Sequence, residues 1–175
     1  VPAISDNGTI VIEAMLQGPG VNLANGRAVW TQSSGPLTLA FRSGTQAPGF
    51  AAGVTINGPQ GFSNIPVIND LGEFALQGTL AGPGIAPSTG STIWSTAGGS
   101  LHMVARSGSQ APGAPAGVNF TGFFPYPSVL LNNSGETAFH GFTSVGEGIW
   151  SERGVLHAVA KTGDSAPALP GDTFE

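Results

Sequence analysis

WTQSSGPLTLAFRSGTQAPG, residues 30–49, returns 64 residues later as WSTAGGSLHMVARSGSQAPG, residues 94–113. A third, shorter copy, WSERGVLHAVAKTGDSAP, covers residues 150–167. Self-similarity at a fixed period identifies a tandem-repeat architecture, in which each repeat buries its faces against its neighbours. The sequence therefore predicts a single repeat domain or a segment of a larger array, with repeats at about 1–64, 65–127 and 128–175, the last incomplete.

The composition favours an all-β chain. The 175 residues are 40% hydrophobic, enough to build a core. Twenty-eight Gly and fourteen Pro, with only 9% charged residues, fit short strands joined by turns, because helix interiors exclude both residue types.

Charge and hydrophobic patterning exclude two classes of partner. A net charge of −5, with five scattered basic residues, gives no electrostatic footprint for nucleic acid. No apolar run approaches the roughly 20 residues that cross a bilayer, so we expect no membrane insertion by this segment. The surface is rich in Ser, Thr, Asn and Gln and the chain has a single Lys, which is typical of exported bacterial proteins. We therefore expect an extracellular or cell-surface location in a bacterium.

Apolar alternation and turn residues predict four antiparallel strands in each repeat. In the second repeat, the predicted strands cover residues 65–68, 73–81, 91–96 and 100–106. The corresponding segments are 1–4, 9–16, 27–32 and 37–42 in the first repeat, and 128–131, 136–142, 148–152 and 155–161 in the third. The linkers between repeats carry a further short alternation around Val54 and Ile56 and around Val118 and Phe120, which predicts a short extra strand or a crossing segment.

Four-stranded antiparallel repeats are typical of β-propeller blades, whose sheets are covered on both faces. The adjacent apolar pairs Val29-Trp30, Ile93-Trp94 and Ile149-Trp150 point to opposite faces of one strand, as such a sheet requires. A β-sandwich is the alternative. Propellers close with about four to eight blades, so three repeats leave unpaired edge strands that favour pairing with further repeats or copies of the chain.

The third repeat carries a motif of a known protein group. Asn132, Gly135, Ala138 and Phe139 match Asn-x-x-Gly-x-x-Ala-Phe, and residues 69–76 keep all of it except the final Phe. In the first copy, residues 5–12, only Gly8 is kept. Over nearly its whole length the chain resembles the bacterial choice-of-anchor tandem-repeat proteins named for NxxGxxAF. The resemblance implies a secreted or surface-anchored repeat protein whose anchor lies outside this segment, and it carries over no functional residues.

Three cations occupy one repeat position, namely Arg42, Arg106 and Lys161. Their structural role would be pairing with Glu73 or Glu136, or donation to carbonyls of the Ala-Pro loop. Their functional role would be a ring of cations that holds an anionic glycan such as a uronate.

Aromatic residues give a second set of candidate ligand contacts. Phe123, Phe124 and Tyr126 cluster in the second linker and predict either an exposed aromatic patch or a hydrophobic plug under a long loop. The repeated Trp residues favour packing between sheets over a sugar-stacking platform.

No catalytic motif is present in the sequence. The three His do not form a recognisable zinc site, and Gly-x-Ser-x-Gly, phosphate-binding Gly loops and His-Glu-x-x-His are absent. We therefore expect no catalytic residues, no metal and no cofactor. The leading hypothesis is a non-enzymatic extracellular β-repeat module with a structural, adhesive or self-assembling role. The alternatives are a propeller that binds anionic glycans and a polysaccharide-degrading enzyme with a carboxylate pair.

Overall fold

The computed structural model describes residues 2–57, 66–125 and 129–175. The protein is all-β with antiparallel sheets, as the composition predicted, and a short 3₁₀ helix lies at Pro87–Thr89. Within the described residues, the strands form three sheets, each built mainly from one sequence repeat.

Sheet 1 has four strands in the order β1-β2-β3-β4. These are β1 (Pro2–Ile4), β2 (Ile10–Met15), β3 (Arg27–Gln32) and β4 (Thr38–Arg42). All three pairings are antiparallel and join consecutive strands, so the sheet is a simple meander.

Sheet 2 has the strand order β10-β9-β8-β6-β5, and β7 pairs with β8 beside β6. Its strands are β5 (Thr45–Gln46), β6 (Thr55–Asn57), β7 (Val67–Ile68), β8 (Phe74–Ala81), β9 (Ser91–Ser95) and β10 (His102–Arg106).

Sheet 3 repeats this plan with the order β11-β13-β14-β15, and β12 pairs with β13 beside β11. Its strands are β11 (Phe120–Phe123), β12 (Leu130–Leu131), β13 (Thr137–Thr143), β14 (Gly146–Arg153) and β15 (Val155–Lys161). The four strands predicted for each repeat are confirmed within a few residues at their ends, apart from residues 1, 65 and 128, which lie outside the described residues.

The predicted extra strand in each linker is also confirmed, and it crosses to the next sheet. β6 follows the fourth strand of the first repeat but pairs with β8 of sheet 2, and β11 follows the fourth strand of the second repeat but pairs with β13 of sheet 3. A hairpin with a long loop leads into each linker strand, because Gly44 N donates to Ile56 O (2.8 Å) and Gly108 N donates to Phe120 O (2.7 Å). The linkers therefore join neighbouring sheets by backbone hydrogen bonds.

A β-bulge interrupts the pairing of the third and fourth strands at the same place in every repeat. The unpaired residues are Ala40, Val104 and Val159. A bulge adds a residue to one strand and increases its local twist. Its recurrence makes the three sheets alike in shape as well as in strand order.

The sheets pack face to face in three layers, with sheet 2 in the middle. One core cluster combines Val11 and Val29 of sheet 1 with Leu76 and Trp94 of sheet 2. The other contains Ile93 of sheet 2, and its members from sheet 3 are Phe139 and Trp150. The adjacent residues Ile93 and Trp94 thus point to opposite, buried faces, as predicted. The described parts of the chain form three stacked sheets and close no ring.

Candidate functional site

The Asn-x-x-Gly segments form tight turns between the first and second strands of the repeats. The Asn69 side-chain oxygen accepts hydrogen bonds from the backbone N–H groups of Leu71 and Glu73, both at 3.0 Å. Gly72 has φ +78°, a conformation that favours glycine. The third copy repeats this arrangement around Asn132, so the motif is explained by turn chemistry.

The turns of neighbouring repeats also bind one another, and we call residues 5–9, 69–73 and 132–136 together the turn ladder. Asn69 Nδ2 donates to Asn132 O at 2.9 Å, and Asp70 N donates to Asn133 Oδ1 at 2.9 Å. Asn133 Nδ2 returns a hydrogen bond to Asp70 Oδ2 at 2.6 Å, and Asn7 N donates to Asp70 Oδ1 at 3.1 Å. The ladder therefore fixes the register of one sheet on the next through polar contacts along one side of the stack.

A polar groove lies between sheets 2 and 3 beside the ladder, with Glu73, His102 and Glu152 among its lining residues. His102 Nε2 lies 3.0 Å from Glu152 Oε2, an ion pair that joins the two repeats when the imidazole is protonated. Burial opposes protonation of His102, but the Glu152 hydrogen bond, the Ser100 carbonyl and the Glu152 charge together raise its pKa above the ordinary value of 6.5.

The His102–Glu152 contact predicts a pH-dependent stability. Because the pKa is raised in the folded state, this contribution is fully present below pH 6.5 and is lost as the pH rises through the folded-state pKa. Solvent screening limits the effect to at most about 1 kcal/mol. We expect urea unfolding between pH 5.5 and 8 to show this decline, and His102→Gln to remove it. His157→Gln, at the same repeat position but exposed, is the matched control, and an unchanged slope in His102→Gln would contradict the assignment.

The three candidate cations hold loops of the protein itself. Arg42 Nε donates to Asn25 O at 2.9 Å, and Arg106 Nε donates to Thr89 O at 2.6 Å. Both carbonyls belong to the loop between the second and third strands of their own repeat. The Nε atoms of Arg42 and Arg106 therefore do not bind the predicted partners, which were Glu73, Glu136 and the Ala-Pro loop. Lys161 bonds Asp164, and this hydrogen bond lowers the pKa of the Asp164 carboxyl. The position is therefore occupied by cations that close a loop, whatever further role they have.

The candidate aromatic residues are separated by the alternation of β11. Phe123 is buried in the core between sheets 2 and 3, with its ring centroid 5.3 Å from that of Phe139. Phe124 points the other way and stacks on His140, with centroids 5.2 Å apart and an interplanar angle of 15°. Tyr126 lies outside the described residues. The structure thus leaves Phe124, and not Phe123, at the surface.

Two large apolar surfaces remain at the ends of the stack. The first end face is the outer side of sheet 1, and its exposed or half-buried side chains are Ile4, Ile10, Ile12, Trp30, Leu37 and Leu39. The last end face is the outer side of sheet 3 with the linker that follows it, and its exposed large apolar side chains include Leu130, Ile149, Val159 and Phe174. Exposed apolar patches of this kind mark interaction surfaces.

The exposed apolar residues of the last end face have counterparts in the second repeat that are buried between two sheets. Ile149 is 41% exposed, whereas its counterpart Ile93 is 0% exposed. Val159 is 60% exposed, whereas Val104 is 7% exposed. Sequence reasoning predicted open edges and missed these faces, although the repeated apolar pairs on the outer repeats signalled them.

A family model matches residues 1–175, the whole length of the sequence. The chain belongs to the DUF7453 family of unknown function. No curated protein and no solved structure matches this DUF7453 chain. Among the residues that the structure describes, no helix is long and apolar enough to cross a membrane. The same residues include no group of three or more His, Asp or Glu placed to hold a metal ion. The features that stand out in this DUF7453 chain are therefore the turn ladder and the two end faces.

Proposed function

We propose that this protein is a non-enzymatic, extracellular β-repeat module with a structural, adhesive or self-assembling role. The observation that carries the proposal is the contrast between the middle sheet, buried on both faces, and the outer sheets, each buried on one. A module of this kind gains stability each time another sheet covers an exposed face, because apolar area is then removed from water.

We further propose that the three sheets are propeller-like blades of an incomplete array. Meandering sheets that pack face to face, with a linker strand passing from one sheet to the next, support this interpretation. Further repeats or copies of the chain would supply the missing neighbours. The surface location rests on the polar composition and on the resemblance to the choice-of-anchor repeat proteins.

The glycan-binding and enzymatic alternatives draw less support from the geometry. The Nε atoms of Arg42 and Arg106 each donate a hydrogen bond to a backbone carbonyl oxygen, and Phe123 is buried. The carboxylates beside the polar groove are also engaged, since Glu73 accepts from Gly98 N at 2.9 Å and Glu152 pairs with His102. An assembly role requires none of these groups to be free.

The solution mass of the chain tests the proposal. Light scattering through a dilution series should give a discrete multimer or a growing polymer that dissociates towards the chain mass of 17.5 kDa. A mass that stays at 17.5 kDa up to millimolar concentration would contradict a self-assembling role.

A further inference from the structure

We propose that copies of this chain associate head to tail, with the first end face of one copy packed on the last end face of another. The inference rests on the proposed assembly role and specifies its interface. The occupant of each end face is a second copy of the same chain, placed as the next sheet of the stack would be.

The junction between sheets 1 and 2 is the first step of the argument, because it shows what the first end face can pack against. Sheet 2 presents Ile68, Leu76, Trp94 and Met103 to sheet 1. The repeat places Ile4, Ile12, Trp30 and Leu39 at the same four positions of sheet 1, where they form the first end face. The first end face is therefore an apolar surface of the same type as one that already packs in this protein.

The junction between sheets 2 and 3 shows in the same way what the last end face can pack against. Sheet 2 presents Ile93 and Val104 to sheet 3, and the linker strand β11, which follows sheet 2 along the chain and pairs into sheet 3, adds Phe120 to the same core cluster. The corresponding residues of the last end face are Ile149, Val159 and Phe174. Phe174 holds the same hairpin position as Phe120, since Gly163 N donates to its carbonyl oxygen at 2.9 Å. Its ring is 41% exposed, against 2% for Phe120.

The polar groups of the first and last turns of the ladder are also complementary, as those of neighbouring turns within the chain are. Inside the stack, Asp70 N donates to Asn133 Oδ1 and Asn69 Nδ2 donates to Asn132 O. Continuing this pattern, Asn133 N of one copy would donate to the Asp6 carboxylate of the next. The side chain of Asp6 is exposed, as this contact requires. The turn ladder would therefore set the register of the junction as it does within the chain.

A head-to-tail junction of this kind is heterologous, because two different surfaces of the molecule meet. Heterologous interfaces generate rings when the rotation closes and open filaments when it does not. Pairing through edge strands would instead use the backbone groups of β4, β10 or β15 and would leave both end faces exposed. The two modes of association are therefore separated by substitutions on the faces.

Two variants, each with one damaged face, test the proposal. Leu39→Glu places a charge on the first end face, and Val159→Glu places one on the last; both positions are exposed, so the fold should be retained. Leu23→Glu, in the exposed loop between β2 and β3, is the control. Circular dichroism verifies folding, and light scattering measures mass at concentrations where the unmodified chain assembles.

Each face variant alone should stay at or near the monomer mass, because every junction needs both faces. An equimolar mixture should form a discrete species of twice 17.5 kDa, since the intact last face of Leu39→Glu can meet the intact first face of Val159→Glu. The Leu23→Glu control should assemble like the unmodified chain.

Three outcomes would overturn the inference, and they are distinguishable. If the unmodified chain assembles and both face variants assemble equally well, the interface lies elsewhere, and the proposed assembly role stands. If each variant is monomeric but the mixture also stays monomeric, the faces do not pair with each other. A monomeric unmodified chain would remove the assembly role itself.

Discussion

Replacing Trp94 with alanine should lower the free energy of unfolding by about 3–5 kcal/mol. The Trp94 ring is fully buried between sheets 1 and 2, so its removal leaves a cavity where two sheets meet. Trp94 Nε1 also donates to Thr92 Oγ1 at 2.7 Å, and Thr92 is itself buried. The substitution therefore removes a hydrogen bond inside the core as well as the apolar area.

Trp30→Ala is the matched control, because Trp30 occupies the same repeat position on the outer side of sheet 1. It is only half-buried, and its loss should cost less than about 2 kcal/mol. Urea unfolding of both variants, at a concentration where light scattering gives the monomer mass, measures the difference. Equal losses at Trp30 and Trp94 would mean that the two sheets do not differ in burial, and the three-layer arrangement would fail.

The strands were predictable from the sequence because each carries its own local signals. Residues 27–32 and 155–161 were predicted with the bounds that the structure has, since Gly, Ser and apolar alternation mark both ends. The order of the layers was not predictable. Alternation places Ile93 and Trp94 on opposite faces, but which neighbour each face meets depends on the path of the linker, and that path is set by tertiary contacts.

The contacts of the candidate site residues were also only partly predictable from the sequence. A cation kept at one repeat position indicated a role, but the partners of Arg42 and Arg106 are backbone carbonyls, which leave no mark in the sequence. Phe123 and Phe124 were predicted to share one environment, either an exposed patch or a hydrophobic plug, although neighbouring residues of a strand point to opposite sides. Only the register of β11 on β13 decides that Phe123 is the inner one.

Replacing Asn69 with alanine should lower the free energy of unfolding by about 2–4 kcal/mol. Asn69 is buried, and its side chain makes four hydrogen bonds. Its oxygen accepts from Leu71 N and Glu73 N, and its nitrogen donates to Glu73 Oε2 at 2.7 Å and to Asn132 O at 2.9 Å. The alanine variant loses the hydrogen bonds that stabilise the turn and the bond to the next repeat together, and it leaves buried polar groups unpaired.

Asn132→Ala separates these two losses, because Asn132 makes the same bonds within its own turn but lies exposed in the last repeat. It should cost about 1 kcal/mol, since water replaces the missing partners. Asn69→Asp adds a second comparison: it keeps both accepted hydrogen bonds, but it removes the donor to Asn132 O and places a carboxylate against Glu73. A loss in Asn69→Asp close to that of Asn69→Ala would assign most of the energy to the bonds that the Asn69 amide donates to Glu73 Oε2 and Asn132 O, together with the new repulsion between the two carboxylates. A loss near zero would assign it to the turn alone, and the turn ladder would then stabilise each repeat without holding its neighbour.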